Sequence, residues 1–461
     1  MVIYTPEQGG AIDHITYVDG ILLVEAGAGT GKTFTALNIV EELGVKSGIY
    51  TAFNKAIVEE AREKFANTPV ECKTFHSLAY KYVRPKLQIS HFSYKCITEK
   101  LTYGEKRVII DALDTYSVSD STCMFEYFEE FSMQHPISGF MKKLAAEYVQ
   151  KMADNVIAPT FNFLLKCLHL MLAEKTVVIT TDIVIMDEIN DVTAVSLEIF
   201  KLINAPKKLG IGETHQAIYE FLNLVNGFEK LKDEATTMRF TQSYRCSEKI
   251  AERIEHKMRK VMDKNFRFTG TEKPCINGKT LYCTLTNSAI VNEIQNRVAE
   301  DKGFTLLRSP SDIFAAALAV TTASQGKKPY QAKYAYLLDV YADYKDQEFH
   351  RNFYAFLLAE LDDEEINNAV KLLQRLKTDN VNIYDLYNTA KNAKPDPNYT
   401  ISTVFTSKGL EFETVYICDD LNTKFESACN GTIPEDEALI AMRCYYVACS
   451  RCGVKLHNSL L

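Results

Sequence analysis

Glu25-Ala-Gly-Ala-Gly-Thr-Gly-Lys-Thr33 follows the apolar run Ile21-Leu-Leu-Val24 and precedes Phe34-Thr-Ala-Leu-Asn-Ile-Val-Glu-Glu42, whose apolar residues recur at helical spacing. Strand, glycine-rich turn and helix in that order are the setting of a phosphate-cradling loop. Backbone N–H groups along Ala26, Gly27, Ala28, Gly29, Thr30 and Gly31, backed by the helix N-terminus, offer a concave positive site to phosphates. Lys32 adds a point charge at the β- and γ-phosphates, and the Thr33 hydroxyl is placed to ligate Mg2+. Ala26 stands where the G-x-x-x-x-G-K-[ST] pattern opens with glycine.

Around this loop the chain alternates strands with helices. Ser47-Gly-Ile-Tyr-Thr-Ala-Phe53 and Val70-Glu-Cys-Lys-Thr-Phe75 read as buried strands flanking a helical stretch from Asn54 to Phe65. That alternation predicts a parallel sheet covered by helices. Residues 86–176 are helical in pattern, the sheet pattern resumes through 177–236, and a second alternating block occupies 237–309 and 396–461 around another helical stretch at 310–395. The expected architecture is α/β: two domains with parallel sheets, 1–85 with 177–236 and 237–309 with 396–461, each carrying a mainly helical insertion.

Composition agrees with a multidomain folded protein: 461 residues, 46% hydrophobic and 24% charged. The net charge of −8 excludes a blanket electrostatic coat for nucleic acid, though not a local basic groove. No apolar run reaches a membrane-spanning length, and the N-terminus lacks the features of a secretory signal, so a cytoplasmic or nucleoid-associated protein without membrane partners is expected.

Val184-Ile-Met-Asp-Glu188 ends an apolar strand with two carboxylates. At the carboxyl edge of a parallel sheet, Asp187 can hold Mg2+ and Glu188 can orient or deprotonate a water. Leu209-Gly-Ile-Gly-Glu-Thr-His-Gln-Ala-Ile-Tyr-Glu-Phe221 ends another strand at a polar turn, where Gln216 could touch a γ-phosphate or its attacking water. Tyr219 and Phe221 follow as aromatics suited to core packing or to base stacking, the latter contributing about 1–3 kcal/mol per base.

With Gln8 in Thr-Pro-Glu-Gln, Ala52-Phe-Asn-Lys55, Lys73-Thr-Phe-His-Ser-Leu-Ala79, Gln242-Ser-Tyr-Arg245, Thr406-Ser-Lys-Gly-Leu-Glu-Phe412 and Tyr446-Val-Ala-Cys-Ser-Arg451, the ordered set resembles the UvrD/PcrA/Rep-like group of superfamily 1 DNA helicases. It also has a flavour of the F-box DNA helicase branch, and the matches span nearly the whole chain. The resemblance implies two RecA-like P-loop domains, ATP and Mg2+ as cofactors, and single-stranded DNA or single-strand/duplex junctions as partner, alongside replication or recombination proteins. By the same resemblance, Gln8 would read adenine, Tyr244 would stack on it, and Glu411, beside Gly409, would bond the ribose. Lys32, Thr33 and Asp187 would hold the triphosphate and Mg2+, Glu188 would be the catalytic base, and Gln216 would sense the γ-phosphate. Arg245 and Arg451 would be arginine fingers, which contribute on the order of 10³–10⁵ in rate in such enzymes. Phe53, Asn54, Thr74, Phe75, His76, Tyr219, Phe221 and Ser407 would line the strand's track.

The chain departs from the family pattern at Asn190 (usually glutamine), Glu213 (aspartate), Phe405 (histidine) and Phe34 (often arginine), and Ile440-Ala441 lack the usual acidic residue. The Gln216-Ala-Ile-Tyr-Glu-Phe221 form of the third motif (motif III) resembles the 3′→5′ subgroup. Cys444, Cys449 and Cys452 match part of a ferredoxin-like spacing but interleave with Arg451, so no iron–sulfur cluster is expected. Little chain follows Arg451, so a fused nuclease is not expected. The rival readings are a DNA-stimulated translocase that strips proteins without unwinding, and a nucleotide-switched binding module.

Overall fold

The computed structural model describes residues 4–52, 55–83, 89–90, 92–93, 96–219, 224–345, 352–361 and 363–461. Its first sheet has six parallel strands, β1 (Gly20–Ala26), β2 (Gly48–Ala52), β3 (Val70–Thr74), β4 (Ile183–Asp187), β5 (Lys207–Gly212) and β6 (Ala235–Phe240). They lie in the order β3-β2-β4-β5-β1-β6. The strands read as near-continuous apolar runs because both faces are covered. Leu22, Val24, Ile183, Ile185, Leu209 and Ile211 pack with the helices Pro6–Tyr17 and Lys32–Leu43. The alternate residues Leu23, Val184 and Met186 pack with the helices Phe161–Ala173 and Ala194–Leu202.

β7 (Gln242–Ser247) and β8 (Thr269–Thr271) form a small sheet of their own. β9 (Thr280–Thr284), β10 (Thr305–Leu306), β11 (Thr400–Thr403), β12 (Phe412–Ile417) and β13 (Cys452–His457) make a second parallel sheet, ordered β10-β11-β9-β12-β13. One face buries Leu281, Cys283, Val415 and Ile417 against the helices Glu248–Val261 and Glu435–Cys449. Across the other face, Tyr399, Tyr282, Tyr416 and His457 stack at centroid separations of 3.7, 4.6 and 4.4 Å, with Arg297 over Tyr399 at 3.9 Å. The interstrand spacing of a sheet, about 4.8 Å, places equivalent side chains at ring-stacking distance.

Two segments sit differently from the sequence expectation. The strand beginning near Thr237, assigned above to the second block, is β6 and pairs with β1 at the edge of the first sheet. The helix Phe161–Ala173, assigned to the first insertion, turns Leu164, Leu165, Leu168 and Leu172 onto the first sheet's core, while Phe163 joins a cluster that also takes in the second helical stretch. The remaining helices of that stretch, Tyr103–Val118, Met124–Gln134 and Gly139–Ala153, bury Ile109, Leu113, Phe128 and Leu144. Among the described residues, no helix is long and apolar enough to cross a membrane.

The carboxyl ends of β1, β4 and β5 lie on one edge, where ligands of open parallel sheets bind. β5 reaches that edge through a close approach: a Cβ on Gly212 would stand 2.2 Å from Asn190 Oδ1 and 3.1 Å from the Ile189 backbone nitrogen. Gly212→Ala is expected to lower stability by about 1–3 kcal/mol, read from urea unfolding, because the obstacle includes backbone.

Candidate active site between the two sheets

β1 ends at Ala26, and the chain turns through Gly27, Ala28, Gly29 and Thr30 into the helix at Lys32. Gly29 and Gly31 have φ of +73° and +83°, and a Cβ on Gly29 would stand 2.6 Å from Cβ of Arg245. Glycine is thus required by backbone conformation and by the approach of β7. β7 docks through Tyr244 N–H donating to Gly29 O at 2.8 Å and Ser243 Oγ donating to Ala28 O at 2.7 Å. No side chain caps the helix Lys32–Leu43, so its first N–H groups remain to be met by an anion. With Lys32 beside them and half-buried Thr33 on the first turn, these groups fit a nucleotide triphosphate and its Mg2+.

Lys32 Nζ reaches Glu188 Oε1 at 2.5 Å, and Lys408 Nζ reaches Glu188 Oε2 at 3.2 Å. Lys408 arrives from the second sheet's side, ahead of β12, and also donates to Asp191 and, at 2.9 Å, to the Gln216 carbonyl. Burial alone would raise the Glu188 pKa, but Lys32 and Lys408 hold it well below the usual carboxylate range. Glu188 has φ +54°, a left-handed conformation costly for a side-chain-bearing residue, which the two ion pairs hold in place. Asp187 accepts from Tyr50 Oη and from the Glu188 N–H at 2.9 Å. Burial, with Glu188 alongside, pushes the Asp187 pKa up; a divalent cation here would reverse that push.

Asn190, the departure from glutamine, is buried and structural: its Oδ1 accepts from Glu213 N–H at 2.9 Å and its Nδ2 donates to Asp191 at 3.0 Å. Glu213, buried at the end of β5, accepts from Tyr446 Oη and from Gln216 Nε2. Gln216 Oε1 in turn accepts from Arg451 Nη2 at 3.2 Å. Arg451 is 1% exposed, and burial together with neighbouring Arg245 lowers its pKa to about 10, still cationic at neutral pH. Arg245 points to the same cleft but is held by Glu411 (3.1 and 3.0 Å) and by the Ser450 carbonyl (3.1 Å). Glu411 therefore meets an arginine in this conformation, and Gly409 nearby has φ +88° with open space at its Cβ position. Tyr244 is 46% exposed beside the loop, free to stack. Gln8 lies against the loop with both amide atoms used: Nε2 donates to Thr30 O at 3.3 Å and Oε1 accepts from Thr5 N–H at 3.1 Å.

The strand-track residues divide. Tyr219 lies near the cleft, its hydroxyl donating to Phe405 O at 2.7 Å and its ring 5.4 Å from Lys408 Nζ. Half-buried His76 bonds Asn162 at 3.2 Å and meets Phe161 edge-on, and Thr74 caps the next helix by accepting from Ser77 N–H. Phe75 and Ser407 are corrections: Phe75 is 5% exposed in the first sheet's core, and Ser407 is 0% exposed, its hydroxyl donating to Val404 O. Neither side chain presents a surface to a strand, because each points back into the layer that carries it. Phe53, Asn54 and Phe221 lie outside the described residues. Sequence reasoning assigned no role to Lys408 or Tyr446, and noted Glu213 only as a departure, although all three stand inside the motifs quoted. It also passed over Tyr50, whose signal was only a tyrosine in a buried strand.

A family model for the UvrD-like helicase C-terminal domain matches residues 164–460, and one for an AAA domain matches residues 8–222. The chain belongs to the UvrD-like helicase family. Its two parallel-sheet lobes are accordingly RecA-like P-loop folds. F-box DNA helicase 1 of Gallus gallus is 24% identical, over 94% of this chain and 47% of the relative. F-box DNA helicase protein 1 of Schizosaccharomyces pombe is 22% identical, over 95% and 55%, and the putative ATP-dependent DNA helicase YjcD of Bacillus subtilis is 21% identical, over 78% and 53%. The chain thus spans about half the length of the curated relatives it matches.

The depressed Glu188 pKa gives its pairing a sign. The contribution to stability is full above the ordinary glutamate range and is lost as pH falls through the depressed value. Lys408→Met, which strands Glu188 Oε2 and Asp191, is expected to cost about 3 kcal/mol at neutral pH. The loss should shrink toward about pH 4, where the stranded carboxylates take up protons. Urea titrations of both proteins at the two pH values check this.

Proposed function

We propose that this chain is an ATP-dependent DNA helicase that moves on single-stranded DNA and separates duplex strands, coupling hydrolysis in the cleft between its two lobes to stepping. The observation that carries the reading is the convergence of side chains from both lobes: Lys32, Glu188 and Gln216 from the first meet Lys408 and Arg451 from the second. The relatives' names as DNA helicases support the choice of nucleic acid.

In this reading Lys32 and the N–H groups of the uncapped helix bind the phosphates, and exposed Tyr244 covers the base. Thr33 and Asp187 would hold Mg2+, which when bound neutralises charge on the phosphate oxygens. Glu188, kept ionised, accepts the proton of the attacking water, and Gln216 orients that water. Arg451, and Arg245 once released from Glu411, neutralise charge growing on the transferred phosphoryl group. Because the arginines belong to the second lobe, nucleotide binding favours closure and product release favours opening. Tyr219 and His76 are candidates for the strand's path, and the form of motif III favours 3′→5′ movement by analogy.

ATP turnover with and without single-stranded DNA, combined with strand displacement from substrates bearing a single 3′ or 5′ tail, tests this. Stimulation by DNA and unwinding from the 3′ tail are expected, and Lys32→Ala should abolish both activities. Unwinding only from a 5′ tail overturns the polarity. Stimulation without strand separation favours the protein-stripping translocase, and turnover indifferent to DNA favours the nucleotide switch.

A further inference from the structure

We propose that Tyr446 is a positioning residue for hydrolysis, acting through Glu213 to fix which end of the Gln216 amide faces Glu213 and which meets Arg451; this rests on the ATPase reading above. Tyr446 belongs to the arginine-bearing helix Glu435–Cys449 and is fully buried. Its ring is held edge-on by Phe266 at 5.3 Å and Phe268 at 6.0 Å, so packing places the ring without help from the hydroxyl. The hydroxyl crosses to the other lobe. It accepts the Ala28 N–H of the glycine-rich loop at 3.4 Å and donates to Glu213 Oε1.

From there the pattern has a single polarity. A carboxylate only accepts and a guanidinium only donates. Glu213 Oε2 takes Gln216 Nε2, which leaves Gln216 Oε1 for Arg451 Nη2 at 3.2 Å. Turning the amide over would set oxygen against carboxylate and NH2 against guanidinium, so the charge on Glu213 dictates the amide's orientation. Besides Tyr446 and Gln216, the charged groups acting on Glu213 are Lys32 and Arg451. Burial pushes its pKa to about 7 against the pull of all four partners, Tyr446 foremost among them. Removing the hydroxyl therefore moves that pKa further up and favours a protonated Glu213, which no longer dictates the amide's orientation. The Glu213 carboxylate spans from the end of β5 to the second lobe's hydroxyl.

The test compares full-length wild type, Tyr446→Phe and Glu213→Gln in steady-state ATP turnover with an oligothymidylate, from mildly acid to mildly alkaline pH, alongside thermal melts. Tyr446→Phe is expected to melt close to wild type and to keep its KM for ATP within about twofold. Its kcat should fall about tenfold at neutral pH, the scale of one lost hydrogen bond to a charged group. Its acid limb should move to higher pH, so that activity is partly regained on the alkaline side. Glu213→Gln should lose kcat at every pH, with no acid limb left to move. Wild-type kcat and pH profile in Tyr446→Phe overturn the inference, as does a fall in kcat matched by a fall in melting temperature. If wild type itself fails to turn over ATP, the ATPase reading fails first and takes the inference with it.

Discussion

A carboxylate withdrawn from water needs compensating charge, and Glu188 takes it from two directions. Its oxygens are 2.5 Å from Lys32 on the first lobe and 3.2 Å from Lys408 on the second. Leaving a buried charge without a partner costs several kcal/mol, so the two lysines together favour a closed cleft in this geometry. The rest of the site follows from that closure. With Lys408 drawn to Glu188 and Asp191, the second lobe's helix Glu435–Cys449 lies against the strand end that carries Glu213 and Gln216. Tyr244 and Ser243 meet the glycine-rich loop in the same apposition.

Around this pair, many polar groups at the cleft are answered by another. Tyr50 donates to Asp187, Asn190 accepts the Glu213 N–H, and Glu411 receives Arg245. In a water-poor setting such bonds are strong when complete and costly when broken, which gives the site one preferred arrangement. The departures from the family pattern acquire local meanings here. Asn190 ties the β4 turn to the end of β5, and Glu213 meets Tyr446 of the second lobe. Arg245 and Arg451 are both engaged with protein partners at the cleft, Glu411 and the Gln216 amide oxygen, so neither stands as a bare charge.

Much of this was legible in the chain before folding. The phosphate loop, the apolar run ending in Asp187-Glu188 and the polar turn at Gln216 were readable because each depends on neighbours in sequence. A strand that ends at the sheet's carboxyl edge delivers its next residues to the site whatever else the chain does. The order of motifs along the chain likewise pointed to the family. Phe75 and Ser407 were misread because motif position places a residue near a groove without saying which way its side chain points.

By itself, then, the sequence determined the parallel α/β class, the glycine-rich cradle and the identity of the acidic pair, since local periodicity and turn chemistry suffice for these. Only the tertiary structure decided that β6 joins the first sheet and that the helix Phe161–Ala173 buries its leucines there. Only it paired Lys408 with Glu188, Arg245 with Glu411 and Tyr446 with Glu213. Those three pairings join residues more than 150 positions apart, and nothing local distinguishes one buried cation or hydroxyl from another until the lobes meet.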